Sequence, residues 1–408
     1  MTARTATCPH RTADLLLDGP RLDSLVGRAV RVDRLRHKPG LSTTAALRAP
    51  DGRVLGWVQA ATEDHLPKVR NAVRRAAERG RPLTVTEVPG KDGLHLVHGP
   101  VLTDPQLHRG LDRLAEVADP DLILGPGGRG VLRYNPLRRL VLRTTGPSGD
   151  PRVLRVLATP VPSPARWLQA LADAGVPVVV PLRGPGTVRS GRLSAWPWVG
   201  EQDLDALTRR GGEVGAVAAE AGAALAALHG SSPHLVEAAP RYDLDLVADR
   251  LEAQLDDLAA LDDGLAERLA PLVRRTLRLL AGTVTSGGAG PLLVPVHGDF
   301  SADQVAVSGS AGQVWLLDPD RLGLGPAALD LGELGATELL AGRDRSALLD
   351  PFLEGYRSAG GAAYGQDVLQ AWTARSLVGR VAEPFRAGDP GWRDGVAGRL
   401  AQLEEVLA

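Results

Sequence analysis

Cysteine is nearly absent from this chain. Cys8 is the only one, so no internal disulfide can form, and a reduced, cytoplasmic compartment is expected. Lysine is almost as scarce: Lys38, Lys68 and Lys91 are the whole set, with none after Lys91. Any later position that calls for a cation must use arginine. No window approaches the roughly 18 uninterrupted apolar residues of a membrane span, and Met1–Asp18 lacks the apolar centre of a secretory signal. Aromatics are few, at 3%. The basic segment Lys68–Arg81 has none interleaved among its charges, so it reads as a solvated helix face and nucleic acid is not an expected partner.

What remains is an ordinary globular composition, 44% hydrophobic and 23% charged, over 408 residues. That length allows two domains or one bilobal unit. The net charge is −1, but it is unevenly placed. Residues 1–200 carry 30 Lys and Arg against 17 Asp and Glu, and residues 201–408 carry 17 against 31. A basic half beside an acidic half suits an anionic ligand on one side and a cationic or metal-bound one on the other. Two lobes that attract each other explain it equally well. The dominance of Ala, Gly, Arg, Val and Leu points to a bacterial source with a GC-rich genome.

Two segments share an opening: Arg36-His37-Lys38-Pro39, and Arg133-Tyr134-Asn135-Pro136. Each leads through β-branched runs and a Gly-containing turn, as a hairpin does. The match is either an internal echo or a chance R-x-x-P. Helices are expected at Leu66–Ala77, Leu107–Val117 and Pro164–Ala174, and strands at Val176–Leu182 and Leu193–Val199. Gly125–Gly130 has the composition of a phosphate cradle but opens no helix and lacks Gly-Lys-Ser/Thr, so it reads as a linker. From Asp203 the pattern turns helical, interrupted by short apolar strands around residues 292–317.

Those strands carry the most informative residues. His297-Gly298-Asp299 follows one apolar run, Gln304 lies five positions after Asp299, Asp318 ends the run Val314–Leu317, and Asp330-Leu331-Gly332 follows Gly325-Pro326. One carboxylate to take the proton of an attacking hydroxyl, with an amide and a second carboxylate to hold Mg²⁺ on nucleotide phosphates, is a phosphoryl-transfer layout. Catalysis by such a layout is mostly positioning and charge neutralisation.

The region from about Leu132 to the end resembles the aminoglycoside phosphotransferase/choline kinase superfamily. His297-Gly298-Asp299 with Gln304 is similar to its H-G-D-x-x-x-x-N signature, and Leu317-Asp318 and Asp330-Leu331 to its later I-D and D-L elements. Ala226–His229 resembles its L-A-x-L-H helix end and Phe352–Tyr356 its F-x-x-G-Y helix. The resemblance implies an α+β, bilobal protein-kinase-like fold with a β-rich N-lobe and a mainly helical C-lobe. It divides the chain into an N-terminal extension (1–120, an extra hairpin or helix unit on the N-lobe), the N-lobe and hinge (121–200) and the C-lobe (201–408). It also implies ATP and Mg²⁺ as cofactors. Asp299 would be the catalytic carboxylate and His297 the holder of its loop. Gln304 and Asp318 would be the metal ligands, and Asp330 the buried carboxylate that pins the loop backbone. Trp196, Trp198 and Val199 would form the hinge beside adenine.

Three departures stand out. Gln304 replaces the usual Asn but keeps the amide oxygen. Arg155 stands where the N-lobe strand should carry a phosphate-binding Lys; arginine can bind phosphate bidentately, yet the two are not interchangeable. The helix Pro164–Ala174 has no Glu to pair with that cation, only Gln169 and Asp173. The expected acceptor is a small-molecule hydroxyl on a sugar, an aminoglycoside or a related metabolite. A Ser/Thr precursor peptide in natural-product biosynthesis is a second possibility, and a pseudokinase scaffold a third. Carboxylates at Asp243, Asp245, Asp249, Glu252, Asp256 and Asp257 suit a cationic acceptor, or simply a solvated helix face. Residues 1–120 offer a surface for a partner protein.

Overall fold

The computed structural model describes residues 11–90, 93–119, 124, 130–146, 148–183, 191–285, 293–309 and 312–408. Cys8 and all of the glycine-rich run except Gly130 lie outside them.

The first half is built on two antiparallel sheets. β1 (Arg31–Lys38), β2 (Ser42–Arg48), β3 (Val54–Thr62), β4 (Thr84–Glu87) and β5 (Leu94–Gly99) form a sheet of order β1-β2-β3-β5-β4. The segment read as one hairpin therefore holds three strands of a larger sheet. Between β3 and β4 runs the basic helix Leu66–Glu78, as the sequence predicts. The second sheet has four strands in sequential order: β6 (Val131–Asn135), β7 (Arg139–Thr145), β8 (Pro151–Leu157) and β9 (Leu193–Pro197). Side-chain alternation lets the first sheet serve two cores. Ala46, Trp57, Ala61 and Val97 pack with Tyr134, Leu140, Leu142, Leu154 and Val156 of the second sheet. Ala45, Leu47, Val58 and Leu96 belong to a core that continues through Leu35 and Leu377 to Trp392 and Leu400 of the C-terminal helices.

The helices Leu107–Val117 and Pro164–Ala174 appear as His108–Leu114 and Ala165–Asp173. The strand expected at Val176–Leu182 is absent; only isolated bridges form, at Val178 and Leu182. Pro177 and Pro181 have no N–H to donate to a ladder, which is the physical reason.

The second half is helical, as the resemblance implies. β10 (Gln202–Asp203) leads to the helices Leu204–Arg209, Gly215–Gly230, Leu244–Ala259 and Asp263–Thr285. Four short strands follow: β11 (Val294–Val296), β12 (Val305–Ser308), β13 (Gln313–Leu316) and β14 (Gly323–Gly325), with β11 on β14 and β12 between β10 and β13. The helices Ala328–Leu340, Leu349–Ser358, Gln366–Arg380, Glu383–Arg386 and Trp392–Leu407 complete the chain. Gly222 and Gly355 let the helices Gly215–Gly230 and Leu349–Ser358 touch backbone to backbone. A Cβ on Gly222 would strike Phe352 O, and one on Gly355 would strike Ala219 O.

Asp104 ties the two sheets together. Its side chain is buried, and Oδ2 accepts from the Tyr134 hydroxyl and from Leu137 N, both at 2.8 Å. Oδ1 accepts from Gln106 N (2.9 Å) and Leu107 N (3.1 Å). Leu137, at φ +63° in the β6–β7 turn, is held in a left-handed conformation that a leucine rarely adopts. Asp104→Ala would leave four donors without their acceptor. We expect it to cost about 3 kcal/mol of unfolding free energy, read from urea denaturation. A loss below about 1 kcal/mol would mean that the turn holds itself.

Candidate active site

The sequence-predicted residues converge where the short strands end. β11 delivers His297-Gly298-Asp299 and β13 delivers Leu317-Asp318, while Asp330 sits in the first turn of the helix Ala328–Leu340. Because β11 pairs with β14, the His297 turn lies alongside the Asp318–Leu322 loop.

Asp330 is wholly buried and accepts three hydrogen bonds. His297 N donates to Oδ2 at 2.6 Å, Gly298 N to Oδ1 at 2.8 Å, and His229 Nε2 lies 3.0 Å from Oδ2. Burial alone would raise its pKa, but the His229 bond and charge and the backbone donors hold it below the ordinary carboxylate value. His229 Nδ1 in turn meets the Tyr356 hydroxyl at 2.8 Å, so the L-A-x-L-H and F-x-x-G-Y elements join the same network. Nε2 of His297 donates to Leu317 O at 2.6 Å. One imidazole thus spans from the Asp299 turn to the residue before Asp318. Gly298, at φ +80°, has no room for a side chain, since a Cβ would strike Arg321 O.

Asp299 is half-buried, and burial raises its pKa. Arg321 Nη1 lies 3.2 Å from its Oδ1 and Arg380 Nη2 lies 4.0 Å away. Arg380 is itself anchored by Glu333, a buried carboxylate that also pairs with Arg375. Gln304 is buried, and its backbone carbonyl accepts from Leu317 N at 2.8 Å, which holds this residue beside the strand that leads to Asp318. Asp299, Gln304, Ser301 and Asp205 line a cavity of about 320 Å³ together with Arg133 and Arg343.

Asp318 adopts a left-handed conformation (φ +49°) and faces the second sheet. Arg155 Nη2 lies 3.2 Å from its Oδ1 and Arg139 Nη2 lies 3.4 Å from its Oδ2. Burial opposes its charge, but Arg155, Arg139 and Arg133 outweigh it and hold the Asp318 carboxyl below its ordinary value. Both Arg139 and Arg155 also bind Asp320. The Arg155 guanidinium lies 5.5 Å from the Trp196 ring centroid. Gln169 and Asp173 do not reach it; they hydrogen-bond each other at 2.8 Å.

Trp196 is the last residue but one of β9, and Trp198 and Val199 continue toward β10, in the link between sheet and helices. Trp198 Nε1 donates to Gly200 O at 3.0 Å, and Arg143 stacks on its ring at 4.4 Å. Val199 packs against the helical core. Sequence reasoning did not find Arg139, Arg321 or Arg380. Each lies one or more elements away from its carboxylate, and no local spacing announces such a pairing. Among the described residues, no group of three or more His, Cys, Asp or Glu side chains forms a metal cluster.

Comparison with known proteins gives three results. No curated protein matches the chain. Solved structures do match. A putative aminoglycoside phosphotransferase from Ralstonia eutropha is 18% identical, over 74% of this chain and 97% of its own, with a TM-score of 0.51. A thermostable mutant of the aminoglycoside phosphotransferase APH(4)-Ia is 13% identical, over 68% and 92%, with a TM-score of 0.50. These structural likenesses, at such low identity, show the fold alone, and it is kinase-like. The model of the phosphotransferase enzyme family APH matches residues 133–374, more than half of the chain, and the chain belongs to that family.

Proposed function

We propose that this protein is an ATP- and Mg²⁺-dependent phosphotransferase that moves the γ-phosphoryl group to a hydroxyl of a small molecule. The observation that carries the reading is the pairing of Asp299 and Asp318 through one scaffold, with Asp330 pinning the first turn and His297 linking it to the second. Asp299 orients the acceptor hydroxyl and takes its proton. Trp196, Trp198 and Val199 flank the adenine, and Arg155 contacts the nucleotide phosphates.

An all-oxygen donor set of one amide and one carboxylate suits Mg²⁺, which commonly takes one or two carboxylates plus substrate phosphates. Gln304 and Asp318 would hold it. The ion would neutralise charge on the transferring phosphoryl group.

Arg155 and Arg139 sit on Asp318 where a cation would otherwise go. That favours a second reading, a pseudokinase scaffold in which guanidinium groups replace the metal. Calorimetry with ATP and Mg²⁺ separates the two. The enzyme reading expects metal-dependent binding that Asp318→Asn abolishes. It also expects Arg155→Ala to raise the ATP dissociation constant about tenfold to a hundredfold, the worth of a charge-assisted hydrogen bond. No nucleotide binding at millimolar ATP would defeat it.

A further inference from the structure

The sheet of β6 to β9 turns one face to the first sheet and the other to the active site. Tyr134, Leu140, Leu154 and Ala195 lie on the face that packs against the first sheet. On the opposite face the strand registers set Arg133, Val141, Arg155 and Ser194 in one row, from the outer strand β6 to β9 and the hinge. Arg155 reaches Asp318 from this row. Arg133 stands two strands farther from the hinge, about 10 Å across the ladder. Its side chain lines the cavity that also holds Asp299 and Gln304. Three arginines line that cavity. Arg380 is held by Glu333 and Glu383, and Arg343 by Glu338 and Asp205. Among the described residues Arg133 has no carboxylate partner, and its buried Nε makes no hydrogen bond. Burial lowers its pKa, Arg139 and Arg34 lower it further, and Asp318 and Asp303 restore only part.

The backbone of the neighbouring turn cannot hold a phosphate. In protein kinases a glycine-rich loop covers the phosphates. Here the β6–β7 turn is Pro136-Leu137-Arg138, without a glycine. Pro136 has no N–H. Leu137 N donates to Asp104 Oδ2 at 2.8 Å, and Arg138 N donates to Asn135 O at 3.1 Å. No amide of the turn is left over for a ligand. A nucleotide laid along the row has its adenine beside β9 and its inner phosphates at Arg155. Its last phosphate then falls toward β6, in the cavity where Arg133 faces the base Asp299 and the amide Gln304.

Resting on the phosphotransferase reading, we infer that Arg133 is a catalytic arginine whose guanidinium binds the oxygens of the γ-phosphoryl group, in place of the backbone donors of a phosphate-covering loop. In the transfer, a bond forms from the acceptor oxygen to the γ-phosphorus. The bond from that phosphorus to the ADP oxygen breaks, and its electron pair leaves with ADP. The hydroxyl proton goes to Asp299. Arg133 offsets the charge on the moving group throughout, from a strand rather than a flexible loop, so its position is set before the nucleotide arrives. Arg380 and Arg343 do not compete for this role, because each is already paired with two carboxylates.

The test is calorimetric titration of the full chain with Mg²⁺ present, at fixed ionic strength. The two probes are ADP and the β,γ-imido analogue of ATP, which differ by the γ-phosphoryl group. Arg133→Ala should weaken the analogue about tenfold or more and ADP by less than about threefold. Retained ADP affinity also shows that the variant is folded. Arg133→Gln, which keeps the length and polarity of the side chain, should show the same split, and Arg133→Lys should recover part of the loss. Arg138→Ala removes the same charge from the exposed tip of the turn and should weaken the analogue by less than about threefold. Equal weakening of both probes would overturn the inference, since Arg133 would then serve the cleft or the inner phosphates. Unchanged affinity for the analogue in Arg133→Ala, or an equal loss in Arg138→Ala, would overturn it too. If the wild type binds neither probe, the phosphotransferase reading fails and the inference falls with it. If both probes bind and the Arg133 variants do not separate them, the inference alone fails.

Discussion

Asp330→Ala is expected to remove about 3–5 kcal/mol of stability, the cost of breaking a buried, hydrogen-bonded charge network from one side. Two backbone N–H groups and the His229 imidazole would lose their shared acceptor in a site without water access. Turnover should fall further than stability explains, because the Asp299 turn would lose its anchor. Urea unfolding and kcat, measured on one preparation well below the unfolding midpoint, separate the two effects. A loss under about 1 kcal/mol would show that the turn is self-supporting. The pH dependence follows from sign. The Asp330 pKa is depressed in the folded chain, so its contribution is complete above the unfolded value of about 3.9. It is lost as pH falls from there through the folded value.

Asp299→Ala should lower kcat by about 10²- to 10⁴-fold, the usual contribution of a positioned general base, and leave the fold intact. Its ion pair with Arg321 is half-exposed and contributes little to stability. The pH profile supplies a second readout. Burial raises the Asp299 pKa despite Arg321, and a protonated carboxyl cannot accept the hydroxyl proton. Turnover should therefore begin to fall, on acidification, at a pH above the ordinary carboxylate value. Asp299→Asn should lack that limb. Full turnover by Asp299→Ala would refute the assignment.

The kinase-like fold was legible because its signature is local. His297 to Asp330 is one stretch of chain, and the bonds that organise it run between residues about 20 to 33 positions apart. His229 and Tyr356 were legible only as pieces of two helix motifs. Nothing in either motif reveals that one imidazole joins both to Asp330. The extension was read as a hairpin because β1, β2 and β3 follow in sequence, whereas β5 enters between β3 and β4 across a helix. Arg139 and Asp104 were illegible for a further reason. Their meaning is set by partners 181 and 33 positions away, Asp320 and Leu137, and any arginine or aspartate on a strand or turn looks the same in sequence. The expected strand at Val176–Leu182 failed on Pro177 and Pro181, whose missing donors outweighed the apolar run.

The five-stranded sheet has a mechanical consequence. A bilobal kinase usually opens and shuts about one covalent link, here the stretch from β9 to β10. In this chain a second connection runs in parallel: the sheet is joined to the β6–β9 sheet on one face and to the C-terminal helices on the other. A body braced at two separated places loses its widest rocking mode and keeps only small slides along the packed surfaces. On the proposed phosphotransferase reading, nucleotide and acceptor would then enter through a cleft of nearly constant width, with side chains rather than lobes as the moving parts.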